Sequence, residues 1–152
     1  MRRYCPDSSH PSVPPHLPAL GIDIGSVGVK AALLDADGKL AGTWSRPVSG
    51  RPGAALESIL AEVARAAAPA EIRLGLTGGG QDLVRGGGRS ETAVVALARA
   101  VPVICPAACT AIEIGAHAAC LVFLDPVARG MADYGLNLQC AAGSGAFFEQ
   151  QA

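Results

Sequence analysis

Residues 19–48, ALGIDIGSVGVKAALLDADGKLAGTWSRPV, decide the fold. Two short apolar runs, ALGIDIG and VGVKAALLD, break at Gly25-Ser26, and DADG at 35–38 then turns the chain into KLAGTWSRPV. Glycine and acidic turn residues between apolar runs of this length predict three consecutive strands. Pro52-Gly53 precedes AALESILAEVARAAA, where Leu56, Ile59, Leu60 and Val63 recur at helical spacing until Pro69 stops the pattern. EIRLGLT, residues 71–77, predicts a fourth strand. SETAVVALARA predicts a second helix with Ser90 as its N-cap and Pro102 at its end. Beyond Pro106, TAIEIGA and ACLVFLD predict two more strands joined through Gly115-Ala116-His117. Strands at both ends with helices between them indicate an α/β fold.

Composition narrows the function classes. The chain has 152 residues, enough for one complete domain or a domain and the start of another. Half the residues are hydrophobic and the formal charge is −1, so there is no basic field to attract nucleic acid or an anionic membrane. Charged residues or prolines interrupt every apolar run before it reaches transmembrane length. Nineteen glycines against 4% aromatic residues favour close backbone approaches over a large aromatic core. The five cysteines, Cys5, Cys105, Cys109, Cys120 and Cys140, are odd in number, and no secretory segment precedes them. That argues against a disulfide framework and favours a reducing cytoplasm. Residues 1–18 hold five of the eleven prolines and read as a disordered leader.

Two tetrads carry chemistry. IDIG at 22–25 and IEIG at 112–115 each set a carboxylate, Asp23 or Glu113, between two isoleucines with glycine next. Acidic residues are depleted in strands because an unpaired buried charge costs several kcal/mol. A Mg²⁺ ion carrying phosphates offsets such a cost: the carboxylate holds the metal or its water, and the glycine lets backbone N–H groups approach phosphate oxygens. Two such hairpins would clamp a nucleotide tail from two sides. The alternative places Asp23 and Glu113 on a solvated sheet face.

NLQCAAGSGAFFE, residues 137–149, sets Cys140 at the mouth of a helix that Ser144 can cap, with Gly143 and Gly145 admitting close backbone approach. A thiolate there suits an anionic ligand such as an iron–sulfur cluster, whereas an isolated cysteine is also a small buried hydrophobe. Cys105, Cys109 and Cys120 lie in apolar context and read as core or strand-end residues.

These stretches together resemble a known family. Ile22-Asp23-Ile24-Gly25-Ser26 with Lys30, Thr77-Gly78 with Gly80, Ser90-Glu91, Ile114-Gly115, Asp133-Tyr134-Gly135-Leu136-Asn137 and CAAGSGAFFE occur in the order seen in activator ATPases of 2-hydroxyacyl-CoA dehydratases and benzoyl-CoA reductases, the BadF/BadG/BcrA/BcrD type. The match covers residues 20–152. Its most specific part is the family's form Asn-x-x-Cys-Ala-Ala-Gly-Thr/Ser-Gly-x-Phe. The resemblance implies a ribonuclease-H-like fold of the actin, Hsp70 and sugar kinase superfamily. It divides the chain into the leader 1–18, a nucleotide-binding domain 19–140 and the start of a helix, 141–152, leading to a related second domain that holds the adenosine site and a second cluster cysteine.

By the same resemblance Asp23 and Glu113 are the catalytic carboxylates, with Asp23 orienting Mg²⁺ through water. Gly25, Ser26 and Lys30 form the first phosphate loop, and Gly115 and Ala116 the second. Cys140 is one ligand of a [4Fe–4S] cluster shared across a homodimer, and ATP binding and hydrolysis drive a low-potential electron into a dehydratase or aryl-CoA reductase partner. The fragment alone is not expected to keep that cluster.

Several positions depart from the family pattern. Where activators read Asp-Ile-Gly-Gly-Gln-Asp, this chain has Glu113-Ile114-Gly115-Ala116-His117-Ala118. Ala116 adds a methyl group where a phosphate would approach, and Ala118 removes a carboxylate. His117 either replaces a water-orienting group or is a solvated turn residue. Val27 and Val29 stand where hydroxyls are usual, and Gln81 where arginine is usual. Two alternatives therefore stand beside the activator reading: a sugar or acyl kinase-like enzyme of the same superfamily, which has no use for Cys140, and a non-hydrolysing nucleotide-binding scaffold.

Overall fold

The computed structural model describes residues 17–67, 71–115, 119–125, 127 and 130–137. The chain divides into two compact units, Met1–Glu91 and Thr92–Ala152. Residues 1–16 of the leader, the turn residues Ala116, His117 and Ala118, and the segment that carries Cys140 lie outside the described residues.

In the first unit, β1 (Ala19–Ile24), β2 (Gly28–Leu34) and β3 (Leu40–Pro47) follow one another as the glycine punctuation predicts. They pair antiparallel, β1 with β2 and β2 with β3. The second turn closes on the Asp35 side chain, whose Oδ1 accepts from the N–H groups of Asp37 at 2.9 Å and Lys39 at 2.8 Å, while Gly38 takes a left-handed φ of 78°. Helix α1 (Pro52–Ala66) starts on a proline, which lacks only an N–H that has no partner in a first turn. It leads to β4 (Arg73–Thr77), which runs parallel to β1, and the two-residue β5 (Arg89–Ser90) extends the sheet to the order β3-β2-β1-β4-β5.

Leu20, Ile22, Ile24, Val29, Ala31, Leu33 and Leu76 point to one face of the sheet and pack against Ala55, Leu56, Ile59 and Val63 of α1. Each fully buried aliphatic side chain of this kind contributes about 1.5–3 kcal/mol. Trp44 of β3 closes the edge of the core by lying over Gly42, where an added Cβ would come within 2.6 Å of the indole ring. Arg46 of the same strand pairs with Glu62 of α1.

The second unit holds α2 (Ala93–Ile104) and an antiparallel sheet in the order β6 (Thr110–Ile114), β7 (Ala119–Asp125), β8 (Gly130–Asn137). Val94 and Ala98 of α2 pack against Cys120, Val122 and Leu124 of β7. Sheets with intervening helices bear out the α/β class, and two boundaries differ from the sequence reading. Thr92, not Ser90, caps α2: its Oγ1 accepts from the Val95 N–H at 3.3 Å. Ser90 is drawn into β5 instead, because the next N–H, that of Glu91, donates to the Leu76 carbonyl at 2.9 Å. Pro102 lies inside α2 rather than ending it, since so near the C-terminus it forfeits one helical bond and the Cys105 N–H still reaches the Val101 carbonyl at 2.7 Å.

Candidate functional site

Alternation in β1 puts Leu20, Ile22 and Ile24 in the core and Asp23 on the opposite face. Strand pairing then sets a polar row across that face. Asp23 lies opposite Lys30 of β2 and Thr77 of β4, and Lys30 lies opposite Ser45 of β3. Directly opposed residues in antiparallel strands have Cβ atoms about 4.5–5.5 Å apart, so the ammonium group of Lys30 is within side-chain reach of Asp23.

The loop after β4 closes over the end of β1. Gly78 has a φ of 89°, and a Cβ there would stand 2.5 Å from the Ile24 carbonyl oxygen and 2.6 Å from Asp23 Oδ1. Only glycine allows this approach. The Gly80 N–H donates to the same Ile24 carbonyl at 3.0 Å, and a Cβ on Gly80 would overlap the Ile24 side chain. The turn from β1 to β2 is equally tight: the Gly25 N–H donates to the Gly28 carbonyl at 3.0 Å, and the Val48 N–H holds the Val27 carbonyl at 2.8 Å.

Two oxygens are buried without a hydrogen-bond partner among the described residues: Thr77 Oγ1, in register with Asp23, and Gln81 Oε1, four residues on in the loop that closes over the end of β1. A buried acceptor left without a partner costs about 1–3 kcal/mol, which a ligand at the site would offset. A carboxylate, a hydroxyl and an amide oxygen are hard donors of the kind Mg²⁺ selects, and Lys30 supplies the positive charge that phosphates require. The residues present therefore fit a metal-bound polyphosphate. Thr77 and Gln81 are the members that sequence reasoning did not assign to the site. Thr77 enters through the parallel pairing of β1 with β4, far apart in the chain, and the signal within the sequence was the TGGGQ run itself.

The two tetrads do not bury alike. In β6, Ile112 and Ile114 are exposed, whereas Glu113 lies opposite the buried Cys120 on the face that α2 covers. Burial, and then the negative charge of Glu113, push the Cys120 thiol above its ordinary pKa, and a hydrogen bond with the Glu113 backbone partly opposes this. Gly115 follows at the end of β6. Of the departures in the first loop, Val29 is fully buried in the core and Val27 is exposed. Cys120 is a core residue and Cys109 stands at a strand end, just before β6 with its carbonyl held by the Leu124 N–H, as the core or strand-end reading has it, whereas Cys105 caps the C-terminus of α2. Cys105 and Cys109 are both exposed free thiols, and Val103 and Ile104 in the last turn of α2 are exposed as well. Among the described residues, no three His, Cys, Asp or Glu side chains gather as a metal centre.

No protein-family model and no curated protein matches the chain. Solved structures do. The activator of 2-hydroxyisocaproyl-CoA dehydratase from Clostridium difficile, determined with bound ADPNP, superposes with a TM-score of 0.76 at 25% identity over 88% of this chain and 50% of that one. The chain resembles the dehydratase activators in three dimensions as in sequence. Component A of the (R)-2-hydroxyglutaryl-CoA dehydratase from Acidaminococcus fermentans shares the fold, with a TM-score of 0.71 at 22% identity over 88% of this chain and 52% of that one. So does the ethanolamine utilization protein EutJ from Carboxydothermus hydrogenoformans, with a TM-score of 0.60 at 12% identity over 86% and 57%. The architecture is thus that of the ribonuclease-H-like, actin- and Hsp70-type ATPases, and the chain spans about half the length of these structures. Among the described residues no helix is long and apolar enough to cross a membrane.

Proposed function

We propose that the chain is the part of an ATP-dependent dehydratase activator that grips the nucleotide phosphates. The observation that carries this reading is Thr77 Oγ1, buried and without a partner, in register with Asp23 at the end of β1. The likeness to an activator with bound ADPNP supports the choice of nucleotide.

Asp23 holds Mg²⁺ directly or through a water molecule, and Thr77 Oγ1 and Gln81 Oε1 accept hydrogen bonds from the waters of that ion. Mg²⁺ would supply charge neutralisation at the phosphates. The Gly25–Gly28 turn presents backbone to a phosphate with no Cβ on Gly25 in the way, Ser26 offers a hydroxyl, and Lys30 neutralises negative charge from the neighbouring strand. The second-phosphate-loop role of Glu113, Gly115 and Ala116 rests on the sequence resemblance alone. Gly78, having no Cβ, leaves the space that the carboxylate of Asp23 occupies.

The remainder of the reading rests on the motif around Cys140: this residue donates one thiolate to a [4Fe–4S] cluster shared with a second copy of the chain, and the whole cytoplasmic protein delivers a low-potential electron to a 2-hydroxyacyl-CoA dehydratase or aryl-CoA reductase. A non-hydrolysing scaffold is the second reading, favoured by His117 and Ala118. Calorimetric titration with Mg·ATP tests the phosphate site. Asp23→Ala should weaken binding at least about tenfold, or roughly 1.4 kcal/mol, whereas Glu57→Ala on α1 should leave it unchanged. Equal affinities for the two variants would remove the assignment.

A further inference from the structure

Cys105 and Cys109 flank a tight turn at the end of α2, and neither has a role in the nucleotide site. The Cys105 N–H is held by the Val101 carbonyl at 2.7 Å, and the Cys109 carbonyl by the Leu124 N–H at 2.8 Å, so both backbones are fixed. Between them the Ala108 N–H donates to the Cys105 carbonyl at 3.0 Å, closing a four-residue turn with Pro106 at its second position. Proline presets φ there, and such a turn brings its end residues within about 7 Å. Cys109 follows directly, and its thiol turns back over the loop to donate to the Ala107 carbonyl at 3.7 Å. Both thiols are exposed and free.

We propose that Cys105 and Cys109 are a vicinal dithiol that closes to an intramolecular disulfide by exchange with a low-molecular-weight disulfide such as oxidised glutathione. One protein thiolate attacks a sulfur of the small disulfide, forming a mixed disulfide and expelling one small thiolate. The second protein thiolate attacks the protein sulfur of that mixed disulfide and expels the other. The protein gives up two electrons and two protons, and the small disulfide is reduced to two thiols. A neighbour on a short tether acts at an effective concentration on the order of millimolar or above, so ring closure outruns attack by a second small thiol or disulfide. The closed bond would tie the end of α2 to the residue just before β6. Cys120, buried under α2, takes no part.

The test is exposure of the native chain to oxidised glutathione, blocking of free thiols with N-ethylmaleimide, denaturation, alkylation with iodoacetamide and tryptic mapping of residues 100–129. The expected product lacks two hydrogen atoms, shows no backbone fragmentation between 105 and 109, and carries the iodoacetamide label on Cys120. Cys105→Ser should instead leave a lasting glutathione adduct on Cys109, and Cys109→Ser one on Cys105. A wild-type chain that carries separate adducts on both residues, remains fully reduced, or joins either residue to Cys120 would overturn the proposal.

Discussion

Gly78→Ala is the sharpest test of how the site is built. The substitution places a Cβ on a residue with φ of 89°, where the left-handed conformation costs an L-residue about 1–2 kcal/mol. The same Cβ would meet the Ile24 carbonyl oxygen at 2.5 Å and Asp23 Oδ1 at 2.6 Å. Backbone cannot swing aside as a long side chain would, so an overpacking cost of about 1–3 kcal/mol is added. Gly79 supplies the control: a Cβ there meets nothing within 4 Å, and Gly79→Ala should stay within about 0.5 kcal/mol of wild type. Trp44, the single tryptophan, packs at the core of the first unit, so its fluorescence in urea reports that unit alone. With a urea dependence of about 1–3 kcal/mol per molar for a small domain, Gly78→Ala should lower the midpoint by about 1 M or more. A Gly78→Ala midpoint equal to that of Gly79→Ala would refute the close packing of this loop on Asp23.

Other expectations follow from the same geometry. Thr92→Ala removes the side-chain cap of α2 and should destabilise the second unit by about 1 kcal/mol, read by circular dichroism during denaturation. Because the folded chain holds the Cys120 proton more tightly than the unfolded chain, the two states bind it equally below the unfolded pKa of about 8.5, and stability falls as pH rises beyond it. Denaturation midpoints between neutral and alkaline pH should therefore decline more steeply for wild type than for Cys120→Ala, and parallel slopes would contradict the burial argument. In a chain long enough to turn over ATP, Ala116→Gly combined with Ala118→Asp should raise phosphate release with little change in affinity, since the restored groups act on the transition state. A wild type already as fast would show that His117 or another group suffices.

How much of this was legible in the sequence varies by element, for physical reasons. β1, β2 and β3 bury one face each or meet at glycine turns, so alternation and punctuation reveal them. β8 exposes most of its side chains and has no buried stripe, so Gly130–Asn137 left no periodic trace. The cap of α2 was misplaced by two residues because Ser90 and Thr92 are both good caps, and only the pairing of β4 with the Arg89–Glu91 segment distinguishes them. VICPAAC reads as apolar, yet whether its cysteines are buried depends on where the helix leaves the sheet, which local composition does not encode. Asp23 was visible as a carboxylate out of place in a strand. Thr77 was not assigned with it, because a parallel pairing between distant segments is what sets it beside Asp23, and Gln81 follows in the loop after that strand.

The central claim is that the end of β1 and the loop after β4 grip a metal-bound polyphosphate. Titrating the isotopically labelled chain with Mg·ADPNP while recording its amide spectrum tests it most directly. The amides of Gly25–Gly28 and Thr77–Gln81 should shift together and saturably, those of α1 near Glu57 should not, and the response should vanish in Asp23→Ala. Shifts confined to other segments, or an unchanged response in Asp23→Ala, would contradict the account.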